Sequence, residues 1–212
     1  MLRPGWTDLK PGVLLLALAL AGCATVRDHS AVGAPSGATT EAPSPELHST
    51  YDALLARLQS GDATAVTDLE KFSAAHPDLA GPLLNLGLAR AKAGDEAAAR
   101  DYYQRATQVC SRCGPAWNEL GVLDRQQGRF ADAEQAYLRA IELQPDFAPA
   151  YYNLAVLYEL YLPRPELALQ NYERYLQLGG EEGAGTDVEK WVTDLRRRVG
   201  TTAKTARTEG TT

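Results

Sequence analysis

The sequence has little of what catalytic and metal sites require. Its 212 residues include three cysteines, three histidines and one methionine, and they contain no HExxH motif, nucleophile elbow or glycine-rich phosphate loop. Zinc takes about four ligands, but no second cysteine pair accompanies Cys110 and Cys113. His29 and His48 likewise have no cysteine or carboxylate partner at ligand spacing. We therefore expect no enzyme activity, no metal and no cofactor.

A basic excess and a membrane-spanning run are also missing. Lysine and arginine number 21 against 27 aspartates and glutamates, which gives a formal charge of −6 and a pI near 5.1. This acidity argues against nucleic-acid binding, for which a clustered basic face is expected. The apolar run over residues 13–20 is too short to cross a bilayer, which takes about 20 apolar residues. Its position after Arg3 and Lys10 indicates a secretory signal peptide instead.

The apolar run ends in small residues followed by a cysteine. This motif, Leu20-Ala21-Gly22-Cys23, resembles the lipobox of bacterial lipoproteins, in which the cysteine is acylated and becomes the new N-terminus. The resemblance implies a signal peptide over residues 1–22 and a lipid anchor on Cys23. Because alanine rather than aspartate follows the cysteine, it also implies the periplasmic face of the outer membrane. An ordinary signal peptide with a coincidental cysteine is the alternative.

The stretch over residues 115–145 has the pattern of two amphipathic helices joined by a turn at Gly128. Apolar and small residues recur at helical spacing on one face of each helix. Gly121 and Ala133 are small enough to let the two helix backbones approach closely. Pro145 ends the pair, since proline cannot continue a helix. The residues on these two faces are Trp117, Leu120, Gly121, Ala133, Tyr137 and Ala140.

The same pattern recurs along the chain. A shift of 34 residues places Gly121 on Gly87 and Tyr137 on Tyr103. This period and this spacing of small and aromatic residues resemble those of the tetratricopeptide repeat. The resemblance implies an all-α, right-handed solenoid of antiparallel helix pairs, closed by a C-terminal capping helix. The middle copy departs from the family at Asp124, where a tyrosine is usual.

Repeat period and composition together divide the chain into units. The segment after Cys23 is rich in alanine, serine, threonine, glycine and proline, so we expect a flexible tether there. Terminal repeats are commonly atypical, which accounts for a degenerate first copy. The expected units are a tether over residues 23–45, a degenerate repeat or N-terminal cap over 46–79, full repeats over 80–113, 114–147 and 148–180, a capping helix over 186–199 and a disordered tail over 200–212.

Cys110 and Cys113 stand where the first full repeat should have its proline. A local disulfide that stiffens the turn between repeats is our preferred interpretation, because the periplasm is oxidising. A redox pair and two free thiols are the alternatives. A catalytic thiol pair usually sits at the start of a helix in a βαβ unit, and the pattern here predicts no strands.

The first helix of each pair is expected to line a concave binding surface. In the resembled family a recurring set of positions on these helices often contacts the ligand. In this sequence the set is mostly apolar with a few amides, which suits an extended peptide or a helix. Leucines of the set, Leu84 and Leu88, have packing against the neighbouring repeat as an equal alternative. The candidate groove residues are Leu84, Asn85, Leu88, Asn118, Val122, Arg125, Tyr152, Asn153, Val156 and Glu159.

Some tetratricopeptide proteins clamp a C-terminal carboxylate with a cluster of lysines and asparagines. In this sequence Leu84 and Asn118 stand at the lysine position, and Leu88 and Val122 stand at the asparagine position. We therefore expect no clamp of the kind that holds chaperone tails.

The lipobox, tether and repeats together resemble small tetratricopeptide lipoproteins of Gram-negative envelopes. The resemblance implies a non-enzymatic periplasmic adaptor, lipid-anchored at the outer membrane, that binds a peptide or helix of a partner protein in the envelope. It implies neither nucleic acid nor a small-molecule substrate. One alternative is a pilotin-like assembly factor for a type IV pilus or secretion system. An alternative of another class is a periplasmic redox or metal-handling protein that uses Cys110 and Cys113.

Overall fold

The computed structural model describes residues 44–180 and 187–209. The expected signal peptide, Cys23 and most of the expected tether lie outside these ranges. Every regular element within them is an α-helix. The helices are α1 (Pro45–Gln59), α2 (Ala65–Ala75), α3 (Ala80–Lys92), α4 (Glu96–Val109), α5 (Gly114–Gln126), α6 (Phe130–Leu143), α7 (Ala148–Leu160), α8 (Pro165–Gln177) and α9 (Asp187–Glu209).

The helices follow one another as a linear array of pairs. Each helix packs against the next one in the chain, and α5 also packs against α7. The helices α3, α5 and α7 begin at Ala80, Gly114 and Ala148, the residues at which the sequence places the three full repeats. Short turns join α1 to α2, α3 to α4, α5 to α6 and α7 to α8, as in helical hairpins.

Close approach within a pair depends on a small residue opposite a large one. Tyr137 of α6 is fully buried, and its ring lies against Gly121 of α5. A Cβ added at Gly121 would come within 2.5 Å of the ring carbon Cε1. Gly87 and Tyr103 repeat this arrangement between α3 and α4. The small residues that the sequence pattern singles out therefore give room for an aromatic ring between the helices.

The turns within the pairs are of two kinds. Gly94 and Gly128 have φ values of +80° and +75°, a left-handed conformation that glycine adopts without steric cost. The third full pair has no glycine at this place and uses a longer turn. Its second helix begins at Pro165, where the missing backbone N–H would have no helical acceptor anyway.

The core runs along the whole array. The tyrosines Tyr51, Tyr103, Tyr137 and Tyr172 are each almost completely buried. Apolar clusters join side chains of neighbouring pairs, and the C-terminal cluster contains residues of α6, α7, α8 and α9. A solenoid is stabilised in this way, because each repeat buries its apolar face mainly against its neighbours.

The terminal helix differs from its sequence-based description in length. Val188, Val192 and Leu195 are buried, as a capping helix requires. However, α9 continues to Glu209, through residues expected to form a disordered tail. Residues 200–209 include Gly200 and four threonines, which are weak helix formers, but no proline that would break the helix. None of the helices in the described ranges is both long and apolar enough to cross a membrane.

Candidate functional site

Two separate groups of hydrogen-bonded polar side chains each link the first helices of neighbouring pairs. Asn85 of α3 donates from Nδ2 to the hydroxyl of Tyr51 in α1 at 2.6 Å. Asn153 of α7 donates to Oδ1 of Asn118 in α5 at 2.9 Å. Asn118 in turn donates to Oε1 of Glu119 at 3.1 Å. We call these five residues the polar ladder, and it fixes the orientation of amides along the inner helices.

Glu119 is the carboxylate of the polar ladder. Its side chain is half-buried, and burial raises the pKa of the carboxyl group to about 7, while the hydrogen bond from Asn118 acts in the opposite direction. Glu119 is not among the groove candidates derived from the sequence. It lies one repeat period from both Asn85 and Asn153, and this spacing would have identified it.

Two of the candidates from the first full repeat do not present an open surface. Leu84 is buried in the core cluster of α3 to α6, which is the packing alternative stated for it. Asn85 is completely buried, and its Oδ1 atom has no hydrogen-bond partner in the described residues. Leu88 is half-buried and packs against the same cluster as Leu84. Of the three candidates in the first repeat, only Leu88 is partly accessible.

The terminal helix covers part of the third full repeat. The ring of Tyr152 lies 6.5 Å from the ring of Trp191 in α9, measured between centroids. Glu159 accepts from Arg198 of α9 at 2.5 Å. Both Tyr152 and Glu159 are groove candidates, but the capping helix already occupies one side of each. The sequence period could not show this, because the contact depends on how α9 packs.

The accessible part of the candidate surface is centred on α5. Asn118 is buried within the polar ladder, whereas Val122, Arg125, Asn153 and Val156 are half-buried. We call the surface formed by Asn118, Glu119, Val122 and Arg125 of α5 with Asn153 and Val156 of α7 the central groove. It combines amides, two valines and two oppositely charged groups.

Arg125 is the cation of the central groove. It donates from Nε to the Tyr137 hydroxyl at 3.3 Å, and its guanidinium carbon lies 5.8 Å from the centroid of the Tyr161 ring. Burial has the largest effect on the Tyr137 hydroxyl and raises its pKa to about 12, although the contact with Arg125 acts in the opposite direction. Arg125 and Glu119 form no ion pair with each other or with another group in the described part of the chain.

The two cysteines of the first full repeat lie in the turn between α4 and α5. Cys110 follows the last residue of α4, Cys113 precedes the first residue of α5, and the structure joins them in a disulfide with the Cα atoms 5.4 Å apart. Neither cysteine takes part in the polar ladder. Among the described residues no group of three or more histidines, cysteines and carboxylates could hold a metal ion.

Family models match two stretches of the chain. A tetratricopeptide repeat model matches residues 51–115, and a second repeat model of the same kind matches residues 121–160. Over 56 residues the chain is 43% identical to the peroxisomal targeting signal receptor of Candida glabrata and 41% identical to that of Saccharomyces cerevisiae. The match covers 26% of this chain, and it spans only 10% and 9% of the lengths of those receptors.

Solved structures share the architecture. Pseudomonas aeruginosa pilF superposes with a TM-score of 0.61 at 24% identity, covering 72% of this chain and 69% of that chain. MamA gives a TM-score of 0.52 at 24% identity, with coverage of 66% and 79%. The first repeat domain of Spaghetti (RPAP3), bound to an HSP90 peptide, gives 0.50 at 21% identity, with coverage of 57% and 93%. At these identities the likeness is one of fold.

The repeat models, the structural likeness and the helix pairs lead to one conclusion. The chain contains tetratricopeptide repeats over residues 51–115 and 121–160, and its described part has the all-α solenoid fold of tetratricopeptide-repeat proteins.

Proposed function

We propose that the protein is a non-enzymatic adaptor whose central groove binds a peptide segment or a helix of another protein. Tetratricopeptide repeats mediate protein–protein interaction. The observation that carries the proposal is the position of the polar ladder beside half-buried valines. Asn153 is half-buried and can meet a peptide backbone, held in place by its hydrogen bond to the buried Asn118, while Val122 and Val156 accept apolar side chains.

Site-specific photocrosslinking tests the groove directly. A benzophenone amino acid replaces Val122 in the central groove or, as a matched control, Leu138, which is 41% exposed on the second helix α6. Both full-length variants are irradiated in the cells that make the protein. We expect a discrete crosslinked partner from position 122 and none from position 138. A partner recovered equally well from both positions, or from position 138 alone, contradicts the groove assignment.

Loss of the groove surface should also reduce partner capture. We expect the double variant Asn118→Ala/Tyr152→Ala to recover less of the same partner than the wild-type protein in a crosslinking pull-down from envelope fractions. Asn118 belongs to the polar ladder, and Tyr152 supports the third repeat against α9. Circular dichroism of the variant must show wild-type helix content, so that a loss of capture reports on the surface. Equal recovery by both proteins contradicts the proposal.

We propose further that a lipid on Cys23 holds this adaptor at the periplasmic face of the outer membrane. The lipobox resemblance of residues 20–23 supports this location. Metabolic labelling with an alkyne analogue of palmitate should mark the wild-type protein but not Cys23→Ser, which should move to the soluble fraction. The double variant Cys110→Ser/Cys113→Ser should keep the label. A labelled Cys23→Ser protein contradicts the anchor, and density-gradient separation of the membranes decides between inner and outer.

The two alternative functions predict different results in these experiments. A pilotin-like assembly factor requires that the crosslinked partner be a component of a pilus or secretion system. A redox protein requires that the Cys110–Cys113 disulfide be opened and closed in use. Thiol titration distinguishes this case, because a disulfide whose reduction leaves partner capture unchanged has a structural role.

A further inference from the structure

Glu119 occupies the position that carries asparagine in the neighbouring full repeats. Asn85 and Asn153 lie one period away on either side, and both use their amides to bond another helix. Glu119 makes no such link. Its hydrogen bond in the described part of the chain comes from Asn118, the residue next to it. The carboxylate therefore has unused acceptor capacity, since its two oxygens can accept about four hydrogen bonds.

No cation among the described residues pairs with this carboxylate. Within residues 44–180 and 187–200, no ion pair includes Glu119. The groups that face it from neighbouring helices are Tyr103 of α4 and Tyr137 of α6, whose pKa values its charge helps to raise. Arg125 of the same helix donates to Tyr137, and it lies six residues on, about 9 Å along the helix axis.

We propose that Glu119 recognises a lysine or arginine side chain in the segment that occupies the central groove. This rests on the proposed function and names the chemistry of the partner. A half-buried carboxylate without a cation is energetically unfavourable, and a partner cation offsets this cost with a charge-assisted hydrogen bond. Because Glu119 is half-buried, water screens such a pair less there than on an open surface.

The protonation of Glu119 makes this recognition measurable. With a pKa of about 7, the unbound side chain carries its proton in about half of the molecules at neutral pH. A bound cation favours the charged carboxylate and lowers its pKa. Binding of a basic segment therefore releases protons near neutral pH, and its affinity increases as the pH rises through the pKa of the unbound side chain.

The test uses the full chain and three libraries of acetylated, amidated nonapeptides. The central position is fixed as arginine, glutamine or glutamate, and the other positions carry an equimolar mixture. Retention on the immobilised wild-type protein is compared with retention on Glu119→Gln and Glu142→Gln. Glu142 is exposed on α6, so its variant controls for the loss of one negative charge.

We expect the wild-type and Glu142→Gln proteins to retain the arginine library about tenfold better than the glutamine library. Glu119→Gln should retain these two libraries equally. Retention without charge preference by the wild-type protein, or a preference that survives Glu119→Gln, overturns the role of Glu119 but leaves the proposed function standing. Failure to retain any of the libraries contradicts the proposed function and this inference with it.

Calorimetry of one retained arginine peptide gives an independent readout. Titration at pH 7 in two buffers with different ionisation enthalpies measures the protons released on binding. We expect release from the wild-type protein and none from Glu119→Gln. Equal release from both proteins excludes Glu119 as the recognising group.

Discussion

The charge of Glu119 destabilises the folded protein to an extent that depends on pH. An ordinary glutamate releases its proton near pH 4.5, whereas burial raises the pKa of Glu119 to about 7 in the folded protein. Between these two values the folded state binds more protons than the unfolded state, so stability falls as the pH rises. We expect Glu119→Gln to stabilise the fold by up to about 3 kcal/mol at pH 8 and hardly at all at pH 4.

Urea denaturation followed by circular dichroism at both pH values measures this difference. Glu142→Gln is the control, and its stability should stay within about 0.5 kcal/mol of the wild-type value at each pH because the side chain is exposed. A Glu119→Gln protein that is less stable than the wild type at pH 8 would show that the buried charge is compensated.

Side-chain packing, rather than backbone conformation, requires a glycine at position 121. We expect Gly121→Ala to destabilise the fold by about 1 to 3 kcal/mol, because the added methyl group would meet the ring of Tyr137 at 2.5 Å. Gly200 of α9 has no atom within 4 Å of an added Cβ, so Gly200→Ala should instead stabilise by up to about 1 kcal/mol through helix propensity. Thermal denaturation should show shifts of opposite sign, and shifts of the same sign would contradict this explanation.

At the scale of helices, neighbouring pairs are joined by a polar contact at a recurrent place. Asp124 of α5 accepts from Arg100 of α4 at 2.6 Å. One period later, Tyr158 of α7 donates to Glu134 of α6 at 2.8 Å. Asp124 departs from the tyrosine that is usual in the family, but it makes the same junction through an ion pair. At this recurrent junction the array therefore uses an ion pair of Asp124 where the next repeat uses a tyrosine hydrogen bond.

Asp124 also accepts from Arg129 in the turn before α6, at 2.6 Å from Nη2, and its side chain is 8% exposed. We expect Asp124→Ala to destabilise the protein by about 2 to 3 kcal/mol, since it leaves two arginines facing each other without a carboxylate. Asp101→Ala is the matched control, because Asp101 is 65% exposed in its pair with Arg105 and should contribute at most about 0.5 kcal/mol. Chemical denaturation of both variants gives the comparison, and equal effects would contradict the junction role.

At the scale of the whole molecule, α9 stabilises the end of the array. Leu195 is completely buried in the C-terminal cluster, so Leu195→Ala should cost about 2 to 5 kcal/mol. Because repeats interact mainly with their neighbours, we expect faster hydrogen exchange in α7, α8 and α9 than in the wild type, with little change in α1 and α2. Leu138→Ala removes a side chain that is 41% exposed and should change neither region. Uniformly faster exchange along the chain would indicate a single cooperative unit instead.

The sequence by itself determined the all-α solenoid of this protein. The 34-residue period places glycine opposite tyrosine in the first two full pairs, and this local pattern predicts where the helices begin, where they turn and which faces are buried. Such information is local, because each repeat contacts mainly its sequence neighbours. The same reasoning predicted a candidate surface on α3, α5 and α7.

Only the tertiary structure decided which parts of that surface are accessible. Leu84 lies in the core, and α9 covers Tyr152 and Glu159, because side-chain direction and the packing of the last helix are not contained in a periodic pattern. That no cation of the described residues pairs with Glu119 is likewise a three-dimensional fact, since it depends on every helix that packs around α5. The raised pKa of Glu119 follows from this environment, because burial disfavours the charged carboxylate and no cation among the described residues pairs with it.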